Sequence, residues 1–162
     1  MADTYTQLIV QLVFAVKYRE GVIAKHWRSE LHKYMTGIIK KNGHKPLCVN
    51  GVEDHVHILV GVNPAQSISA LVQDIKKVSS RWINERRLVR GHFSWQEGYA
   101  AFSYSREALP HLARYIENQE EHHRKRTFRE EYVEMLKDAD VQYDDRYIFN
   151  FFATDRRSPP GI

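Results

Sequence analysis

Over residues 4–17 the chain alternates with a period of two: Leu8, Val10, Leu12, Phe14 and Val16 fall on one side, Tyr5, Gln7, Gln11 and Lys17 on the other. Successive side chains of a strand point to opposite faces, so this run reads as a half-buried strand that needs a covering layer. The period then changes. Trp27, Leu31, Tyr34, Met35, Ile38 and Ile39 recur at spacings of three and four within residues 24–41, an amphipathic helix stopped by Asn42-Gly43. Residues 46–52 and 55–62 are two short apolar runs separated by Glu53-Asp54 beside Gly51, the pattern of a hairpin. Ser67 is placed to cap a second helix, whose apolar stripe is Ile68, Leu71, Val72, Ile75, Val78, Trp82 and Ile83. Residues 99–103 are strand-like. A third helix is predicted to start within residues 105–110, where Pro110 is tolerated in a first turn, and to continue to about Arg126. Thr127 and Glu130 resemble a capping box for a short helix over 128–137.

The order strand, helix, strand, strand, helix, strand, helix predicts an α+β fold. The expected form is a ferredoxin-like (RRM-like) sandwich, a mainly antiparallel sheet with helices packed on one face. A chain of 162 residues that is 43% hydrophobic can bury one core unaided. No repeat or linker divides it, so a single catalytic domain is expected over 1–154, with a polar, proline-containing tail, 155–162, expected to be mobile.

Composition narrows the classes. Only 8 glycines and 5 prolines accompany 12% aromatic residues, which excludes collagenous and disordered chains. The single cysteine, Cys48, excludes an intrachain disulfide framework and points to a cytoplasmic setting; it reads as a small core residue. No run approaches the ~18 apolar residues of a membrane span, and the polar start is unlike a signal peptide. The net charge of +4 is unevenly spread. Lys76, Lys77, Arg81, Arg86, Arg87 and Arg90 face only Asp74 and Glu85 between Gln73 and Arg90, so a polyanion is a candidate partner and a solvated helix face the plain alternative.

On the strand 55–62, Val56, Ile58 and Val60 share one side, which leaves His55 and His57 together on the other. Two imidazoles pointing the same way can bind one divalent ion, though a third ligand is needed. In the third helix Tyr115 and Gln119 are four apart and project together, a phenol beside an oxygen ligand. Phe93, Trp95 and Tyr99 are either core residues or platforms for unpaired bases.

His55-Val56-His57 in a strand after an acidic residue, followed by Tyr115-Ile116-Glu117-Asn118-Gln119 and the run from Glu120-Glu121-His122-His123 to Tyr132, closely resembles the single-tyrosine HUH transposases of the IS-two-hundred-like family. The similarity extends from about Tyr5 to Lys137; Glu53 stands where many relatives have proline. The resemblance implies a DNA transposase that cleaves and rejoins single-stranded DNA with hairpins through a covalent 5′-phosphotyrosine. By matching positions, Tyr115 is the nucleophile, and His55, His57 and Gln119 hold Mg²⁺ or Mn²⁺. Relatives are homodimers in which one subunit's tyrosine helix completes the other's histidine site, which sets the same expectation here. Lys76, Lys77, Arg81 and Arg87 are the expected phosphate contacts. Three rivals remain open at this level: a domesticated relative acting on chromosomal palindromes, a noncatalytic nucleic-acid-binding module, and a hydrolase that uses water.

Overall fold

The computed structural model describes residues 3–144. The predicted tail, 155–162, and the last part of the predicted domain lie outside the described residues.

Four strands, β1 (Ile9–Ala15), β2 (Lys45–Gly51), β3 (His55–Gly61) and β4 (Ala100–Tyr104), form one sheet in the order β2-β3-β1-β4. Every neighbouring pair is antiparallel. The helices are α1 (Lys25–Lys41), α2 (Ile68–Glu85), α3 (Leu109–Glu117), α4 (Gln119–Lys125) and α5 (Phe128–Asp138). None of them is long and apolar enough to cross a membrane. The α+β sandwich with an antiparallel sheet is as expected, but the expectation of helices on one face is corrected: α1 and α2 cover one face, and α3 and α5 pack on the other.

Local chemistry sets the ends of these elements. Ser67 Oγ accepts from the Ala70 amide at 3.1 Å and Thr127 Oγ1 from the Glu130 amide at 3.2 Å, so both predicted N-caps form. Helix α1 ends at Asn42, and Gly43 follows with φ +83°, a conformation that only glycine adopts without penalty. Gly51 is required for a different reason: a Cβ there would lie 2.3 Å from the His55 carbonyl oxygen, so only a bare Cα lets β2 turn tightly into β3.

The even-numbered face of β1 and β3 carries Val10, Leu12, Phe14, Val56, Ile58 and Val60 and packs under α1 and α2, in a core with Leu31, Met35, Ile39, Leu71 and Ile75. Each such side chain contributes roughly 1.5–3 kcal/mol on full burial. The odd-numbered face, read as the polar side of a half-buried strand, is buried too. Val13 and Ala15 meet Phe128 and Leu136 of α5, while Ile9 and Leu59 meet Leu112 and Ile116 of α3. The second face therefore has its own smaller covering layer. Gln11, His55 and His57 are fully enclosed beneath it, because His55 and His57 pair in register with Ala15 and Val13 on that face.

The continuous third helix predicted to reach Arg126 is corrected. It divides at Asn118, where φ and ψ are −97° and 26°. Asn50, paired with His57 in the sheet, donates its amide to the carbonyls of Ile116 at 2.8 Å and Glu117 at 3.1 Å. Those carbonyls are thereby satisfied without a further helical turn, and the chain bends.

Candidate metal centre and nucleophile

His55 and His57 project from the second face of β3, and both ring Nδ1 atoms are engaged from behind. His55 Nδ1 lies 2.7 Å from Asp54 Oδ1, and His57 Nδ1 lies 2.8 Å from Gln11 Oε1. Gln11 is oriented by its own amide, which donates to Tyr104 Oη at 3.1 Å. These acceptors assign the Nδ1 protons and turn both Nε2 atoms toward one point, as in metal-ligating histidines. The ring centroids are 5.1 Å apart, and His55 stacks on Phe128 at 4.0 Å.

The bend at Asn118 brings Gln119 to the same place. It is fully buried, its Oε1 lies 3.4 Å from His55 Nε2, and its amide donates to the Tyr115 carbonyl at 3.3 Å. Tyr115 lies over the sheet of its own chain, its ring 6.2 Å from that of His57 and 4.4 Å from that of His122. Its phenol donates to Glu131 Oε2 and accepts from Arg126 at 3.1 Å. The four residues singled out in the sequence are thus gathered in one cluster within the chain.

Two further groups at the centre were missed. Glu131 Oε1 is 3.0 Å from His57 Nε2, 3.5 Å from His55 Nε2 and 3.2 Å from His123 Nε2. His55, His57, His123 and Glu131 have the reach to hold a metal ion together. A signal for Glu131 was present: it occupies an apolar position in the stripe Phe128, Tyr132, Met135 and Leu136, and a carboxylate there needs partners.

Burial and charge act in opposition here. Burial disfavours charged His55, but its hydrogen bonds to Asp54 and Glu131 prevail and hold it up at about 9. In His57 burial prevails, and its value falls. Burial likewise opposes ionised Glu131, but hydrogen bonds from His123, His55 and His57 hold it well below the usual carboxylate range. Burial first, then the Glu131 charge, push Tyr115 above the ordinary phenol value, so the resting phenol is protonated. In the metal-free chain His55 stabilises the fold fully below its ordinary 6.5, and that stability is lost as pH rises through about 9. Denaturant unfolding in EDTA is expected to show stability falling across this window in the native chain and less steeply in Asp54→Asn.

The predicted DNA contacts do not converge on this pocket. Helix α2 covers the other face of the sheet, where Lys77, Arg81 and Arg87 are exposed. Lys76 is corrected: its ammonium donates to the carbonyls of Gln96 at 2.7 Å and Gly98 at 2.5 Å and lies 5.2 Å over the Phe14 ring. Burial lowers it to about 8. Phe93 and Trp95 are core residues, 2% and 7% exposed, with Trp95 Nε1 donating to Ser79 Oγ; only Tyr99 is open for stacking. Lys76→Ala is therefore expected to cost stability, about 1–2 kcal/mol in chemical unfolding. Lys77→Glu should instead weaken DNA binding and reduce the salt slope by about 1. Equal salt slopes for Lys77→Glu and the native chain would remove α2 from the interface. Cys48 is half-buried, and burial, then the Glu117 charge, raise its thiol to about 11, which makes it inert.

Residues 4–119 match the family described as Transposase IS200 like. The ISDra2 transposase TnpA of Deinococcus radiodurans is 27% identical over 118 residues, which cover 70% of this chain and 84% of that protein. The crystal structure of a candidate transposase from Deinococcus radiodurans superposes with a TM-score of 0.60 at 26% identity, covering 74% of this chain and 95% of that one. A REP-associated tyrosine transposase bound to a REP hairpin shares the fold, with a TM-score of 0.57 at 12% identity over 76% of this chain and 73% of that one. With the family match spanning most of the chain and the fold shared, this protein belongs to the IS200-like transposases.

Proposed function

We propose that the chain cleaves and rejoins single-stranded DNA at hairpin-bearing ends through a covalent 5′-phosphotyrosine on Tyr115, with Mg²⁺ or Mn²⁺ held by His55, His57 and Gln119. The observation that carries this reading is the convergence of a phenol on two imidazole Nε2 atoms whose Nδ1 atoms are already engaged. Two imidazoles and an amide oxygen suit a divalent ion and leave positions open for substrate. When bound, such an ion supplies Lewis-acid polarisation of the scissile phosphate and neutralises charge on the leaving oxygen.

The chain's own residues supply the rest. Tyr115 Oη attacks phosphorus, an O–P bond to the phenol forms, and the bond to the 3′-oxygen breaks. The phenol is oriented by its hydrogen bond to Glu131 Oε2, Arg126 donates to Tyr115 Oη and stabilises the developing phenolate, and the phenol proton is taken up by water. The departing 3′-oxygen takes up a proton as hydroxyl. Resealing is the reverse, with a 3′-hydroxyl as attacking group, so the bond energy is kept and no nucleotide cofactor is consumed. Hairpin ends are proposed by analogy with the hairpin-bound neighbour of the same fold.

The test is incubation with labelled single-stranded DNA from the flanks of the coding sequence, with Mg²⁺, Mn²⁺ or EDTA. The expected result is a metal-dependent adduct that peptide mapping assigns to Tyr115; cleavage without an adduct would favour a water nucleophile. Homodimerisation belongs to the same proposal. Mixing Tyr115→Phe with His57→Ala chains restores cleavage if tyrosine helices are exchanged between subunits, and leaves it lost if each chain uses its own.

A further inference from the structure

We propose that His55, His57, His123 and Glu131 form a second, closed coordination mode selective for Zn²⁺ and similar borderline transition ions, and that this mode locks Tyr115 out of reaction. The locking rests on the function proposed above; the binding does not. His123 and Glu131 lie beyond the residues 4–119 that match the family, so nothing in that likeness assigns them.

The geometry is the first argument. The four ligand atoms lie within 4.8 Å of one another, and Glu131 Oε1 is 3.0, 3.2 and 3.5 Å from the Nε2 atoms of His57, His123 and His55. A tetrahedral ion with bonds of about 2.0–2.1 Å has ligand–ligand edges of about 3.3–3.4 Å. Three edges are thus nearly set, and the remaining ones need a contraction of the imidazole cluster. The aim of the ring is the second argument. His57 Nδ1 is already engaged by Gln11 Oε1 at 2.8 Å, which leaves Nε2, 3.0 Å from Glu131 Oε1, as the atom directed into the cluster.

Donor chemistry then selects the cation. Three imidazoles and one carboxylate suit Zn²⁺, whereas Mg²⁺ prefers oxygen ligands and water. Four protein ligands fill a tetrahedron and leave no position for a phosphate. Helix α5 is then held through Glu131, whose other oxygen holds the phenol of Tyr115. Gln119 is absent from this donor set, so the two modes share His55 and His57 and differ in their remaining ligands.

The test uses the full chain stripped with EDTA. Titration with Co²⁺ is expected to give the intense visible absorption of four-coordinate cobalt, displaced by Zn²⁺. His123→Ala and His123→Gln should each weaken Zn²⁺ binding by roughly 10–100-fold or more, while Gln119→Ala leaves it within a few-fold. A weak six-coordinate spectrum, or unchanged Zn²⁺ affinity in both well-folded His123 variants, would overturn the site. One equivalent of Zn²⁺ added before Mg²⁺ or Mn²⁺ should suppress the DNA adduct in the native chain and much less in His123→Gln, each compared with its own zinc-free reaction. Undiminished adduct with Zn²⁺ bound overturns the lock. No adduct under any metal ends the function proposal instead, and the cobalt spectrum still decides the site.

Discussion

Tyr115→Phe chains are expected to bind the same single-stranded DNA and to form no covalent product, with strand cleavage reduced on the order of 10⁴–10⁶-fold, the scale set by loss of an enzymatic nucleophile. The substitution is well suited to the question because the ring is kept. Phenylalanine still packs beside His122 and His57, and the losses are the hydrogen bond to Glu131 and the acceptor for Arg126. Glu131 keeps its imidazole partners, so the fold should lose only about 1 kcal/mol. A gel assay for covalent adducts beside a thermal melt separates chemistry from stability. Cleavage at the native rate in Tyr115→Phe would identify water as the nucleophile and remove Tyr115 from the chemistry.

Glu131→Ala is expected to cost the metal-free chain about 3–5 kcal/mol, the penalty for removing one member of a buried charge-paired group. Glu131 is fully buried, and three imidazoles and a phenol are directed at it. Without it, His55 has lost one of the two carboxylates that keep it protonated. Glu131→Gln should cost less, because an amide keeps the volume and can still hydrogen-bond. Since its carboxyl is held below the ordinary carboxylate range, the stability that Glu131 supplies is fully present above that range and is lost only on acidification beneath it. Urea unfolding in EDTA measures both variants. A loss for Glu131→Ala within about 1 kcal/mol of the native chain would show that the cluster is not held together by this carboxylate.

Much of the scaffold could be read from residue order. The shifts between period two and period 3.6, the caps Ser67 and Thr127 and the Asn42-Gly43 stop are local, and each acts within a few residues of itself. His55 and His57 were legible for the same reason, since strand alternation alone puts them on one side. Two readings failed where a distant partner decides. Helix 105–126 breaks because Asn50, on another strand, takes the carbonyls of Ile116 and Glu117. Lys76 leaves the cationic stripe because the carbonyls of Gln96 and Gly98 hold it.

The amino-acid order by itself determined the strands, the helices and the common direction of two imidazoles, because side-chain direction follows from backbone period. Only the folded chain decided that the second sheet face is roofed by α3 and α5, that Tyr115 reaches its own histidines, and that Glu131 and His123 complete the cluster. Those contacts join residues far apart in the chain; His57 and Glu131 alone are 74 positions apart. No local period encodes such a meeting; it follows from how two cores pack on opposite faces of one sheet.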